Sequence, residues 1–168
     1  MPVVLRELES ADLPALVDLN NDAVPAVPMV DEDEMAMLAG FASLAVVAVD
    51  EDDLRTPLGF LLAIDPGSSY SSENYRWFAS RSKDFLYVDR VVIGGERRGA
   101  GIGRLLYGAV FDKARTDGRR VVTCEVNLRP PNPRSMGFHR SLGFQAVGEQ
   151  ATKGGSVHVA LLAARVVD

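Results

Sequence analysis

The sequence has a single cysteine, Cys124, among its 168 residues, and only two histidines. One cysteine excludes an intramolecular disulfide and is ordinary for a protein of a reducing compartment. Basic residues are also in the minority, since 18 Lys and Arg stand against 23 Asp and Glu and leave a net charge of -5. This balance argues against general binding to nucleic acid.

Long hydrophobic runs are missing as well. No apolar stretch approaches the roughly 20 residues that span a bilayer, and MPVVLRELES at the start lacks the features of a signal peptide. We therefore expect a soluble, cytoplasmic protein that has neither a membrane nor a nucleic acid as its partner. The hydrophobic fraction of 47% is enough for a single domain over residues 1–168.

Apolar periodicity and turn residues predict a mixed α/β domain. The predicted strands lie near 3–8, 44–50, 57–64, 85–93, 120–126, 144–150 and 156–167. The predicted helices are one capped by Ser10 or Asp12, one over 31–42, a short one over 73–80, one from near Gly101 to Gly118, and one opened by Asn132 and Pro133. The apolar end VHVALLAARVV is suited to pairing across a homodimer.

The stretch ERRGAGIGRLL, residues 96–106, places two arginines and three alternating glycines directly before a helical apolar pattern. A strand that turns through glycine into a helix exposes backbone N–H groups at the positive end of the helix dipole, where anions bind. Glycines at 99, 101 and 103 remove the Cβ atoms that would keep phosphate oxygens away, and Arg98 and Arg104 add positive charge. The stretch therefore predicts a phosphate-binding loop.

Two familiar phosphate motifs do not fit this loop. A Walker loop needs Lys and then Ser or Thr after its last glycine, whereas Gly99 is followed by Ala100 and Gly101. The dinucleotide fingerprint G-x-G-x-x-G, started at Gly99 or Gly101, meets Arg104 or Leu106 where its final glycine should stand. Both motifs are set aside.

The pattern that fits is Arg98-x-x-Gly101-x-Gly103 directly after an apolar strand. It resembles the pyrophosphate-binding motif R/Q-x-x-G-x-G/A of the GNAT superfamily, the acyl-CoA-dependent N-acetyltransferases. The downstream segment EVNLRPPNPRSMGFHRSLGF is similar to the family's second cofactor element, and the element order is also the family's, so the resemblance covers nearly the whole chain. Within the family, the sequence is most similar to a poorly characterised group of predicted acetyltransferases.

The resemblance implies a GNAT fold, with a central, mostly antiparallel sheet flanked by about four helices. It implies acetyl-CoA as co-substrate, no metal, and transfer of an acetyl group to a primary amine of a small molecule or peptide. The implied cofactor-binding residues are Val91, Val92 and Ile93 for the pantetheine arm, Arg98, Gly99, Ala100, Gly101, Ile102, Gly103 and Arg104 for the pyrophosphate, and Asn132 and Ser135 for the arm. Helix capping is an alternative role for the last two.

Acetyl transfer needs a neutral amine, a stabilised oxyanion and a protonated leaving thiolate. The resemblance implies a base or water wire in the strand before the loop, and Asp89 and Tyr87 are the candidates because alternate positions share one face. We expect Arg90 to be a poor ion-pair partner for Asp89, since adjacent positions face opposite ways. His139 stands where the family has a tyrosine that acts as the general acid. The ordinary pKa of a histidine, about 6.5, suits proton donation. A structural role for His139 is the alternative.

Other features leave alternatives open. Cys124 is interpreted as a packed core residue rather than a nucleophile. Trp77, Tyr75 and Phe78 either wall an acceptor pocket or hold their loop in place. The acidic residues at 31–34 and Glu73 favour a cationic acceptor, or are solvated surface. One alternative to an enzyme is a non-catalytic module that binds acyl-CoA, and His139 in place of tyrosine is the feature that favours it. Another is an interaction domain that binds no nucleotide.

Overall fold

The computed structural model describes residues 2–167, which form seven strands and five α-helices. The elements are β1 Val3–Glu7, α1 Leu13–Asp22, α2 Glu32–Phe41, β2 Leu44–Asp50, β3 Gly59–Ile64, α3 Glu73–Ala79, β4 Phe85–Ile93, α4 Ile102–Thr116, β5 Val121–Arg129, α5 Pro133–Ser141, β6 Gln145–Thr152 and β7 Val157–Arg165. The strand order is β1-β2-β3-β4-β5-β7-β6. Only β4 and β5 are paired in parallel among the registers seen in these residues. The predicted mixed, mostly antiparallel fold is confirmed.

The chain divides into two compact units, and the division falls within β4 and within α4. The first unit comprises residues 1–64 and 89–110, and the second comprises 65–88 and 111–168. No helix among residues 2–167 is long and apolar enough to cross a membrane.

The first unit is built on β2 and β3, whose continuous apolar runs are buried between helices and neighbouring strands. Every residue of β3 is buried, and α1 and α2 both contact this strand. Asp31 begins α2 by accepting a hydrogen bond from the Glu34 backbone N–H at 2.8 Å, and three further acidic residues complement the positive end of the helix. The acidic run at 31–34 is thus explained in part by helix initiation.

One predicted cap is wrong. The Asp12 side chain does not cap α1, because its carboxylate is paired with Arg6 through two contacts of 2.8 Å and accepts the Glu9 backbone N–H. These bonds hold the pKa of Asp12 below its usual range, chiefly through the hydrogen bond from Arg6. Asp12 instead fastens the short turn Ser10–Asp12 to β1.

The second unit is built around β7, which pairs with β5 on one side and β6 on the other. Both hydrogen-bonding edges of β7 are therefore used within the chain, and its apolar residues are largely buried. The homodimer expected from this end of the sequence stays a prediction.

Helix α3 lies in the same unit and brings aromatic rings onto the sheet. Tyr75 and Phe78 pack on Tyr87 of β4 with ring centroids 5.5 and 6.0 Å apart, respectively. Trp77 covers Gly148 of β6, where an added Cβ would lie 2.5 Å from the indole. The glycine at this position is required by the close approach of the ring.

Candidate active site

The glycine-rich loop lies in the first unit and follows β4 directly. The Gly94 N–H donates to the Leu58 carbonyl at 2.8 Å, which fastens the end of β4 beside β3. A short turn over Gly95–Arg97 follows, and α4 begins when the Leu105 N–H donates to the Gly101 carbonyl at 3.1 Å. The predicted sequence of strand, glycine turn and helix is therefore present.

Two glycines give this loop its shape. Gly99 and Gly101 have φ values of +85° and +81°, a conformation that residues with a Cβ rarely adopt. Both are exposed, and a Cβ built on either would meet no atom within 4 Å. Their surroundings are thus open at the very place where a side chain would stand in the way of a ligand.

The beginning of α4 also presents groups that bind an anion. The N–H groups of Ile102 and Gly103 open the helix, where no preceding turn supplies intrahelical acceptors. Arg98 and Arg104 are both exposed at this loop. A bare turn, helix-opening amides and two arginines fit the pyrophosphate of coenzyme A.

The strand before the loop contributes the residues predicted for the pantetheine arm. Val92 is buried, whereas Val91 and Ile93 are half-buried. A Cβ added at Gly59 would lie 2.7 Å from the Val92 carbonyl oxygen, so glycine is needed where β3 approaches this part of β4. The cofactor role of these three residues stays a prediction.

Asp89 is paired with Arg90, the residue expected to be a poor partner for it. Nε of Arg90 lies 2.8 Å from Oδ2 of Asp89, and the two side chains are 6% and 5% exposed. Adjacent strand residues do face opposite ways, but the long arginine side chain folds back far enough to reach the carboxylate. Arg90 also donates to Oδ1 of Asn20 in α1 at 2.8 Å. The expectation that Arg90 is a poor partner is therefore wrong.

This ion pair changes what Asp89 offers chemically. A buried carboxylate beside a guanidinium is compensated by it, and removing either partner leaves an uncompensated charge. The network continues from Asn20 to the Pro28 carbonyl at 2.8 Å and so fixes the connection between α1 and α2. Asp89 has an evident structural role, and its catalytic role stays a prediction.

Tyr87, the other candidate on this strand, lies in the second unit. Its ring is completely buried, and its hydroxyl donates to Oε2 of Glu125 on β5 at 2.8 Å. Glu125 is a residue that the sequence analysis missed. Its signal was a carboxylate inside the apolar strand VVTCEV, because charges within strands are uncommon unless something pairs with them.

His139 is buried on α5, with only 3% of its surface exposed. Nδ1 lies 2.7 Å from the Ser135 carbonyl oxygen, which only accepts hydrogen bonds, so Nδ1 carries the proton. Burial lowers the pKa of His139, and the bond to Ser135 opposes that shift only in part. The ring is thus held neutral, packed between Phe138 and Phe144.

The remaining predicted residues serve the local structure. Asn132 accepts a hydrogen bond from the Ser135 backbone N–H at 3.3 Å, so the capping alternative describes its observed contact. Cys124 is buried, as predicted for a core residue. Tyr75 donates to the Asp65 carbonyl at 2.6 Å, which indicates that the aromatic residues of α3 hold their loop in place.

The predicted residues are thus grouped by unit. In the first, Asp89, the strand 91–93 and the loop 98–104 form one continuous stretch. In the second, Ser135 and His139 meet on α5, and Tyr87 meets Glu125.

A strand that passes through a glycine turn into a helix, in a mixed sheet of this order, fits an acyl-CoA-dependent acyltransferase. The chain belongs to the acetyltransferase (GNAT) family, whose sequence model matches residues 6–144. It is therefore an N-acetyltransferase that uses acetyl-CoA. The predicted enzyme class and the predicted acetyl-CoA-dependent function are confirmed.

Similar proteins agree with this assignment. An L-methionine sulfoximine/L-methionine sulfone acetyltransferase of Pseudomonas paraeruginosa is 26% identical over 158 residues, which cover 92% of this chain and 87% of that one. Ard1 from Thermoplasma volcanium has the same fold, with a TM-score of 0.80 at 14% identity and full coverage of both chains. YncA from Salmonella typhimurium, solved with its cofactor acetyl-CoA, gives a TM-score of 0.69 at 21% identity and covers 100% of this chain and 96% of its own.

Proposed function

We propose that the protein transfers the acetyl group of acetyl-CoA to the primary amine of a small molecule by direct attack of the amine. The observation that carries this proposal is the open turn at Gly99 and Gly101, with positive φ values and no atom within 4 Å of an added Cβ. Family membership supplies the reaction, and the turn supplies a place for the pyrophosphate.

The donor is held by backbone groups in this proposal. Amides of the loop 98–104 bind the pyrophosphate, with Arg98 and Arg104 adding charge, and the backbone of 91–93 binds the pantetheine arm. Asn132 and Ser135 contact the same arm. Backbone recognition suits a group that every acyl-CoA shares, and acetyl-CoA supplies the activated thioester when it is bound.

The contacts of His139 bear on which residue protonates the leaving thiolate. His139 donates from Nδ1 to a backbone carbonyl, and protonation of a leaving thiolate would need its imidazolium form, which burial disfavours. We propose that His139 mainly positions α5, and its role as the acid stays the competing prediction. Tyr87 and Asp89 keep their predicted role, which is to provide the base or water wire that takes the proton from the amine. Tyr87 is hydrogen-bonded to Glu125, and Asp89 is paired with Arg90.

The acceptor is proposed to be an amino acid or a similar small amine. The relative from Pseudomonas paraeruginosa acetylates L-methionine sulfoximine and L-methionine sulfone, and similarity extends over 92% of this chain. The exposed acids at the start of α2 favour a cationic acceptor over an anionic one. We also propose a single domain over 1–168 that works in the cytoplasm.

Acceptor profiling tests the function. Purified protein is mixed with acetyl-CoA and a panel of L-methionine sulfoximine, L-methionine sulfone, the standard amino acids, polyamines and short peptides, and thiol release is measured. Saturable release with one class of amine, matched by acetylated product in mass spectra, is the expected result. Tight binding of acetyl-CoA with no acetylated product from any amine would argue that the protein is not a transferase of this kind.

A further inference from the structure

Asn20 on α1 is a completely buried amide that the sequence analysis did not assign to the site. Its two polar atoms have different partners, and these partners lie in the first unit. Oδ1 accepts a hydrogen bond from Nη1 of Arg90 at 2.8 Å, and Nδ2 donates to the Pro28 carbonyl at 2.8 Å and to Oδ1 of Asn21 at 3.0 Å. A guanidinium only donates and a carbonyl only accepts, so these contacts leave a single orientation for the amide.

The donor end of the Asn20 amide is fixed by the connection between α1 and α2. Close to Pro28 in this connection, Val30 is bonded to α1 as well. Asn21 donates to the Val30 carbonyl at 2.9 Å and accepts the Val30 backbone N–H at 3.0 Å. The connection is thus bonded to α1 at two points, so Nδ2 of Asn20 has a fixed partner and Oδ1 is held toward Arg90.

Arg90 continues this network to the predicted base. Its Nε lies 2.8 Å from Oδ2 of Asp89 in a pair that is almost completely buried. Because a guanidinium is planar and rigid, bonds from Nε and Nη1 to two different elements fix its plane, and the paired carboxylate is oriented with it. Buried N–H groups also need acceptors for folding, so a test has to separate positioning from stability.

We propose that Asn20 is a positioning residue for proton removal from the acceptor amine, acting through Arg90 on the Asp89 carboxylate. The inference rests on the proposed function, in which Asp89 is the base or orders the water that takes this proton. A group that takes part in a reaction has to be held close to its productive geometry, and a displacement of about 1 Å can cost about 100-fold in rate. Loss of the Asn20 amide should therefore slow proton removal and leave donor binding intact.

Steady-state kinetics of Asn20→Ala at two pH values tests the proposal. With the best amine from the profiling panel, we expect kcat/KM for the amine to fall about tenfold or more at pH 7, while KM for acetyl-CoA stays within about twofold. Rates are counted per acetyl-CoA site titrated by calorimetry, which corrects for unfolded protein.

The pH dependence of this loss is the readout that a merely structural role would not move. At pH 9.5 more of the amine is already neutral in solution, so the reaction depends less on the base. The ratio of variant to wild-type kcat/KM should therefore recover about fivefold or more between pH 7 and pH 9.5. A variant that is only less stable loses the same factor at both pH values.

Asp12→Asn is the matched control. It disturbs the ion pair of Asp12 with Arg6, which lies in the same unit and whose described bonds do not reach Asp89. Because Asp12 is only 4% exposed, the variant should lose stability. It should keep kcat/KM per site within about twofold of the wild type at both pH values.

Arg90→Lys keeps the proposal testable if Asn20→Ala does not fold. Lysine retains the positive charge beside Asp89, but its single nitrogen lacks the fixed N–H directions with which a guanidinium reaches Asp89 and Asn20 together. We expect the same loss at pH 7 and the same recovery at pH 9.5.

The outcomes distinguish this inference from the proposed function. No loss in the folded variant, or an equal loss at both pH values, overturns the inference and leaves the acetyltransferase proposal standing. Wild-type activity in Asp89→Asn overturns it too, because Asn20 would then have no base to position. Absence of transfer by the wild-type enzyme to every amine overturns the proposed function as well.

Discussion

His139 links burial to the pH dependence of stability. Burial lowers its pKa in the folded protein, so the unfolded chain binds the proton more readily. The free energy of unfolding therefore falls as the pH drops below about 6.5 and levels off once the pH is below the folded pKa. His139→Asn keeps a donor near Ser135 without a titrating ring, and we expect it to lose less stability between pH 7 and pH 5.

Urea denaturation at the two pH values measures this difference. Equal responses in His139→Asn and the wild type would show that the buried ring contributes nothing to it.

Thr123 has a buried hydroxyl group that is not satisfied by a hydrogen bond within residues 2–167. Its Oγ1 is buried and has no hydrogen-bond partner among the residues that the structure describes. Because an unsatisfied buried hydroxyl costs about 1–3 kcal/mol, the isosteric change Thr123→Val is expected to be neutral or to raise the free energy of unfolding by about 1 kcal/mol. Chemical denaturation measures the change, and a loss of stability above about 1 kcal/mol would contradict the expectation.

At the scale of the element, the loop before α4 makes the sharpest prediction. Gly101→Ala places a Cβ where the backbone has a φ of +81° and where the ligand is proposed to lie. We expect a stability loss of about 1 kcal/mol from strain and, separately, a large loss of acetyl-CoA affinity. Isothermal titration calorimetry with acetyl-CoA measures the affinity.

Gly118→Ala provides the matched control. Gly118 has a φ of +71° after the end of α4, so alanine meets similar strain there, away from the loop. The control should lose stability while binding acetyl-CoA like the wild type. If both variants bind acetyl-CoA normally, the loop does not hold the pyrophosphate.

The elements also show what local sequence can predict. β4 was predicted over its full length, because its apolar run ends at glycines that mark the turn. β5 extends to Arg129, beyond the predicted strand, because a register shift keeps Arg129 paired with His158 of β7. Pairing with a distant strand leaves no periodic signal in the segment itself.

Partners of polar side chains were harder to predict than positions. The sequence indicates Tyr87 as a candidate, but its partner Glu125 lies 38 residues away in the sequence and becomes adjacent only when β4 and β5 pair. Asp89 was singled out too, and rotamer reach rather than strand alternation decided its pairing with Arg90. Glycine loops are local in sequence, whereas ion pairs and hydrogen bonds depend on the assembled sheet.

For the whole molecule, donor binding should appear as thermal stability. A ligand that binds only the folded state stabilises it by about 2.7 kcal/mol at 100 times its Kd, which for a chain of this size raises Tm by roughly 5 to 10 °C. S-acetylpantetheine carries the same thioester without the pyrophosphate, so at the same concentration it should raise Tm much less. Differential scanning fluorimetry compares the two ligands. Equal shifts would place the binding energy in the pantetheine arm rather than in the loop, and no shift with acetyl-CoA would contradict donor binding itself.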